Sequence, residues 1–284
     1  MTSTFFGFNI ARRGMSAHKA ALDVTAHNIA NSSTAGYSRQ QAIFQTTTPF
    51  NSASANQAAG AGQIGTGVQI TEIRRVRDSF LDYQLRPQLS KLGAWDEKYS
   101  SLSSVEMIMM EPSETGLSNL FENFWDAWGE LGKNPTSGAT RAAVLETSAT
   151  LASTLNGIAS QLETVVTDLN VKVDIAVRDM NSISTQVAAL NKQIVANVGA
   201  GLNPNDLMDE RDLLLDNLSE LTNFTPIFQP NGSVDVSIKG RYLVQESIAT
   251  PVEWKVVDGQ TRVQWADGVD LGPSTGRLAG IYEV

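Results

Sequence analysis

The sequence contains no cysteine and only two histidines. The first absence excludes disulfides, thiolate metal sites and a cysteine nucleophile, and it suits a chain that passes from a reducing to an oxidising compartment. The histidines, His18 and His27, are too far apart in sequence to share a helix face, whereas a helical metal pair wants a spacing near four. Long apolar runs are missing as well. No window approaches the run of ~18 apolar residues that spans a bilayer. The N-terminal stretch MTSTFFGFNIARRGMSAHKAAL is interrupted by Arg12 and Arg13 and offers no small-residue cleavage site, so it is not a secretory signal. Basic charge is also short. A net charge of −9 argues against nucleic acid or an anionic membrane as partner, because phosphates would be repelled.

What is there fits a folded, soluble protein: 42% apolar and 18% charged residues over 284 positions, enough for one large domain or two ordinary ones. Residues 5–30 read as a helix on which Phe8, Met15, Leu22 and Ile29 recur every seventh position, with Ala11 and Ala26 beside them. That seam is narrow and coiled-coil-like, and the polar loop after it cannot cover it, so the helix needs a partner. Asn31 is expected to stop the helix by adopting the left-handed conformation. Residues 40–75 read as a flexible or extended connector, since FNSASANQAAGAGQIGTG is made of small residues and glycine, with a short strand at GVQITEIRRV.

A second helix is expected over 78–110. Leu81, Leu85, Gln88, Leu92, Trp95, Tyr99 and Leu102 follow four-three spacing, and Pro87 should kink or restart the helix. The aromatic stripe of LSNLFENFWDAWGELG, with Phe121, Phe124 and Trp128, reads as a packed core face. From Val144 to Ile194 three- and four-residue apolar steps alternate, with a stutter at Leu169–Val173. That pattern spells one helix of about 60 residues, a rod of ~90 Å. GAGLNPND breaks it, and a further amphipathic helix over 207–221 returns antiparallel. From Pro226 the period becomes two, with turn signals at Asn231-Gly232, Lys239-Gly240, Asp258-Gly259 and Asp267-Gly268. The fold class is therefore mainly α: a long antiparallel coiled-coil-like helical bundle with a small antiparallel β-meander near the C-terminal end. Its parts are a core helix and loop (1–39), the connector (40–75) and an outer domain (76–284), with the bundle over 78–224 and the meander over 226–271.

Chemistry-bearing constellations are thin. Asp206, Asp209, Glu210, Asp212 and Asp216 are dense, but Arg211 lies among them and leucines fill the alternate face, which reads as a solvated helix surface rather than acid–base machinery. GAGQIGTG has no phosphate-cradle lysine and no helix opening directly after it. No Ser/His/Asp spacing argument can be made. Arg74, Arg75, Arg77 and Arg86 form the one basic concentration. They are either simply exposed or pair with acidic faces of neighbouring subunits. Nothing converges as an active site would, so no enzyme, cofactor or metal is expected.

The run AHNIANSSTAGYSRQ resembles the signature loop of the bacterial flagellar axial proteins, the rod, hook and junction proteins. The matching positions are Ala30, Asn31, Ser32, Ser33, Thr34, Ala35, Gly36 and Tyr37, of which Ala30, Asn31, Thr34, Gly36 and Tyr37 carry the motif. GTGVQITEIRRVRDSFLDYQLR, NPTSGATRAAVLETSATLASTLN and NDLMDERDLLLDNLSEL resemble the hook-associated, hook–filament junction family within that class. The resemblance implies a structural adaptor outside the cell, exported through the flagellar type III apparatus without a cleaved signal. It implies self-association and contact with the hook protein, a second hook-associated protein, the export apparatus and an export chaperone. The family is about twice as long and closes with a second terminal helix, so by this likeness the chain lacks its C-terminal half. Pro87 departs from the family's uninterrupted helix. A distal rod or hook protein is the alternative within the class, and a non-flagellar coiled-coil module the alternative outside it.

Overall fold

A computed structural model describes residues 5–49, 64–109, 116–257 and 260–284. The expected connector core and the Asp258-Gly259 turn lie outside these residues. Helix α1 spans Phe6–Ala30, followed by strands β1 (Gln40–Thr46) and β2 (Val68–Arg75). Helices α2 (Ser79–Met109), α3 (Leu117–Lys133), α4 (Gly138–Gly199) and α5 (Asn205–Leu221) come next. The sheets comprise β3 (Thr225–Phe228), β4 (Val234–Ile238), β5 (Arg241–Gln245), β6 (Ile248–Ala249), β7 (Val252–Val257) and β8 (Gln260–Trp265), and α6 (Arg277–Tyr282) follows. The class is mainly α, as the periodicity indicates. No helix among the described residues is long and apolar enough to cross a membrane.

The rod is one helix of 62 residues, about 93 Å at 1.5 Å per residue. Ser137 caps its start by accepting from the Thr140 amide. Its end is a Schellman turn: Gly201 sits at φ +78°, its amide reaches Val198 O, and the Leu202 amide reaches Asn197 O. The core gathers on the C-terminal half of α4. Val173, Met180 and Val187 are fully buried there beneath Leu215, Leu218, Val236 and Leu243.

The meander is two sheets, β3-β4-β5-β6 and β7-β8, all antiparallel. Asparagines on α4 hold both. Asn191 accepts from the Val234 amide and donates to the carbonyls of Val234 and Glu246. Asn181 exchanges a pair of bonds with the backbone of Val252 at 2.8 and 2.9 Å. Each side-chain amide thus stands in for a neighbouring strand's peptide, satisfying edges that would otherwise lie unpaired. Lys239 (φ +48°) and Gly240 (φ +84°) turn β4 into β5, both left-handed as a type I′ hairpin requires.

Three expectations are corrected, and the side that α2 buries is a finding the spacing did not give. The ends of the connector pair: β1 and β2 form an antiparallel ladder from Gln40–Arg75 to Thr46–Val68, with an irregularity at Ile43/Phe44. Of the kink or restart expected at Pro87, the restart does not occur: α2 runs on through it, although the proline denies the Tyr83 carbonyl its helical donor. Bonds on both sides, Arg86 to Asp216 and Ser90 to Thr275, hold the helix through it. The four-three seam of α2 faces outward, and the buried face is Arg86, Ser90, Gly93, Glu97 and Ser101. Small residues let α5 and α6 approach so closely that a Cβ on Gly93 would lie 2.4 Å from Glu220 O. The aromatic face of α3 is only half covered, with Phe121 and Trp128 still exposed, because α4 packs along one side of it.

Candidate functional site

The polar loop after α1 is built from side chains that bond their own neighbourhood. Asn31 donates to His27 O at 3.1 Å, Thr34 Oγ1 donates to Asn31 Oδ1 at 3.2 Å, and the Tyr37 amide reaches Thr34 O. Asn31 itself stays at φ −101°, so it is not the left-handed stop. Gly36 takes that conformation instead (φ +78°), and Leu213 lies where its Cβ would be, at 2.9 Å. Ala30 closes the helix at an exposed position. Sequence reasoning missed the pivot, Asn28. Its Oδ1 accepts from the Tyr37 hydroxyl and the Gln40 amide, both at 2.8 Å, and its Nδ2 donates to Gln40 O at 2.8 Å.

This loop lies on α5. Asp206, Asp209, Asp212 and Asp216 follow three-three-four spacing, so one helix face carries all four. The Ser38 amide donates to Asp209 Oδ2 at 2.8 Å, and Gln40 Nε2 donates to Asp206 Oδ1 at 2.6 Å. Asn205 donates to Ile73 O and Gln40 Oε1, fastening the hairpin root beside the loop. Arg75 Nη1 then donates to Asp209 Oδ1 at 2.8 Å and Asp212 Oδ2 at 2.7 Å. Arg77 reaches Asp82 at 2.7 Å and Asp216 at 3.3 Å, and Arg86 Nε reaches Asp216 at 2.8 Å.

Two expectations fall in part here. Asp209 and Asp212 are 5% and 3% exposed, so the expected solvated surface holds for Asp206 and Glu210 and fails for the side of the helix that the arginines meet. Three of the four arginines are used within the chain rather than offered to neighbours, and Arg74 alone of them is exposed. The signal was present: Arg75 and Arg77 share one side of an extended segment, and the carboxylates share one side of a helix. Neither pattern in isolation names the other as its partner.

The electrostatics follow from this packing. Burial works against the Arg77 charge, but the bond to Asp82 and the fields of Asp212 and Asp216 outweigh it and raise its pKa. Burial, then Asp206 and Asp209, raise that of Tyr37, keeping its hydroxyl a donor to Asn28. Arg211 points the other way, donating to Gly232 O at 2.6 Å, and burial lowers its pKa to about 10. Arginines and aspartates that neutralise one another bolt surfaces together. They present no free acid or base. Among the described residues no group of three or more histidines and carboxylates could hold a metal ion.

Helix α1 leaves this elbow with two faces. One carries Ala17, 6% exposed, against the β1–β2 hairpin, where His18 and Phe44 rings lie 5.3 Å apart. The other carries Phe8, Met15, Leu22 and Ile29, which are 68–75% exposed. The hairpin therefore covers the side away from the seam.

A basal helix with a bare apolar stripe, bolted through a polar loop to a rod-like helical domain, fits the flagellar axial class, and residues 8–37 match the flagella basal body rod protein family. Residues 102–284 match the helical domain of the flagellar hook-associated protein FlgK. The chain belongs to the flagellar hook-associated protein 1 family. The relative so named in Bacillus subtilis is 40% identical over 82% of this chain and 46% of its own length. The one in Escherichia coli is 29% identical over 96% of this chain and 51% of its own length. The chain thus spans about half the length of the curated relatives it matches. The solved flagellar hook junction protein FlgK from Burkholderia pseudomallei shares the fold, with a TM-score of 0.56 at 22% identity, covering 69% of this chain and 38% of that one.

Proposed function

We propose that the chain is a non-enzymatic structural component of the bacterial flagellum that joins hook to filament through packing of its N-terminal helix against other axial subunits. The observation that carries this reading is the α1 seam, apolar at every seventh residue and exposed along its length while the opposite face is covered. Such a stripe gains stability when an apolar surface covers it, and its seven-residue period suits another helix. The Asp209–Arg75 elbow then sets the direction in which the outer domain leaves the axial core. Its partners on this reading are further copies of itself, the hook protein and a second hook-associated protein. It reaches them outside the cell through the flagellar type III apparatus and its chaperone. An isolated helix is marginal in water, so α1 costs little to thread unfolded and gains order on assembly.

Leu22→Asp tests this in a flagellated strain. The variant is expected to keep a folded outer domain by circular dichroism yet be absent from purified flagella, with filaments failing to attach to hooks. Normal swimming with an intact junction contradicts the reading.

A further inference from the structure

Where α2, the end of α5 and the start of β3 meet, they enclose a cavity of about 280 Å³. That is just under the roughly 300 Å³ at which small-molecule sites begin. Its walls include the rings of Tyr83, Pro87, Phe224 and Pro226. Three polar side chains also line it, Arg86, Ser90 and Thr222, and they are 6%, 2% and 0% exposed. Ser90 is satisfied, because its hydroxyl pairs with that of Thr275 at 2.7 Å. The other two are not. Arg86 Nη2 and Thr222 Oγ1 have no hydrogen-bond partner among the described residues. Arg86 Nε binds Asp216 at 2.8 Å, but Nη2 stays 3.7 Å from Asp212, too far for a hydrogen bond. Buried polar atoms are seldom left unpaired, and two of them at one cavity point to a partner that enters it.

We propose that this cavity binds a small uncharged molecule that carries a carbonyl oxygen on an apolar ring. The guanidinium nitrogen and the hydroxyl both donate, so the ligand must accept. Charge decides against a carboxylate or a phosphate. Asp82, Asp209, Asp212 and Asp216 stand against Arg75, Arg77 and Arg86, four against three, so the ionic cluster already carries one negative charge over. An anion reaching Arg86 would meet Asp212 and Asp216 as well. The ring walls call for an apolar body, yet a plain hydrocarbon would leave Nη2 and the hydroxyl dry and unpaired. What marks the site is two buried polar atoms rather than an uncovered face. It is separate from the α1 stripe and does not depend on the assembly reading.

Benzamide is the probe. Toluene, which lacks the acceptor, and benzoate, which carries a charge, are its controls. In amide NMR spectra of the full chain, millimolar benzamide should shift Ser90, Thr222 and Thr275, and both controls should bind roughly tenfold more weakly or less. Thr222→Val keeps the shape and removes one unpaired donor, so it should fold as wild type and bind benzamide several-fold more weakly. Tyr83→Ala changes an exposed wall residue and should also weaken binding without disturbing the core. No shift with benzamide, benzoate bound as tightly as benzamide, or unchanged affinity in Thr222→Val overturns the proposal. Unchanged affinity in Tyr83→Ala, which needs no buried substitution, does the same. So does ordered water only, seen as water-to-Thr222 Overhauser contacts that persist when benzamide is added.

Discussion

Arg75 Nη1 lies 2.8 Å from Asp209 Oδ1, and the same carboxylate takes the Ser38 amide on its other oxygen. One aspartate on α5 thus ties the loop after α1 to the strand that leads into α2. The two side chains are 16% and 6% exposed, so water does little to screen them.

Arg75→Met should therefore destabilise the chain by about 3–5 kcal/mol, the cost of leaving buried carboxylates unpaired. Hydrogen exchange should report it locally, with protection lost at Ser38 and Gln40 before the core around Met180 opens. Uniform loss of protection across the molecule would contradict a local bolt.

How much of this was readable beforehand depends on the kind of force involved. The rod could be read because 62 residues of one period leave no competing structure, and the meander because its turns carry left-handed glycines. The exposed stripe of α1 was legible from Phe8, Met15, Leu22 and Ile29, whose spacing outruns what its own loop can cover. The face of α2 was not. An apolar seam marks where a helix can bury surface, not whether the chain supplies the cover, and here Gly93 and Ser90 make the intrachain contact. The elbow was hidden for a related reason. Arginines and aspartates usually sit in water, and only the fold brings residues 75–86 within reach of 209–216.

Glycines on two helices separate close approach from mere occurrence. Gly93→Ala should cost about 2 kcal/mol or more, because its Cβ would meet the backbone oxygen of Glu220 at 2.4 Å. Gly129→Ala on α3, with nothing within 4 Å, should instead stabilise by roughly 0.5–1 kcal/mol. Paired thermal unfolding checks both signs.

The asparagine clasp gives a third expectation. Asn191→Leu fills similar volume but strands the Val234 amide and two carbonyls, costing roughly 3 kcal/mol. Urea unfolding should show it, while exposed Gln193→Leu stays near wild type.

Alkaline pH should weaken the C-terminal end. Burial pushes the Tyr282 hydroxyl up to about 12, against 10.0 for a free tyrosine, where it accepts the Val263 amide. The folded state then holds its proton between those values while the unfolded state has released it. Stability is full below pH 10 and falls as pH rises towards 12. Tyr282→Phe should lose this part of the pH dependence, seen as a shallower slope in unfolding free energy between pH 10 and 12.

The account rests on the α1 stripe being covered by other axial subunits, and labelling measures that directly. Leu22→Cys introduces the chain's one thiol, and its rate of reaction with a maleimide can be read in the isolated protein and in purified hook–filament assemblies. Fast labelling in isolation and strong protection in the assembly are the predicted pair of results. Equal rates in both would contradict it.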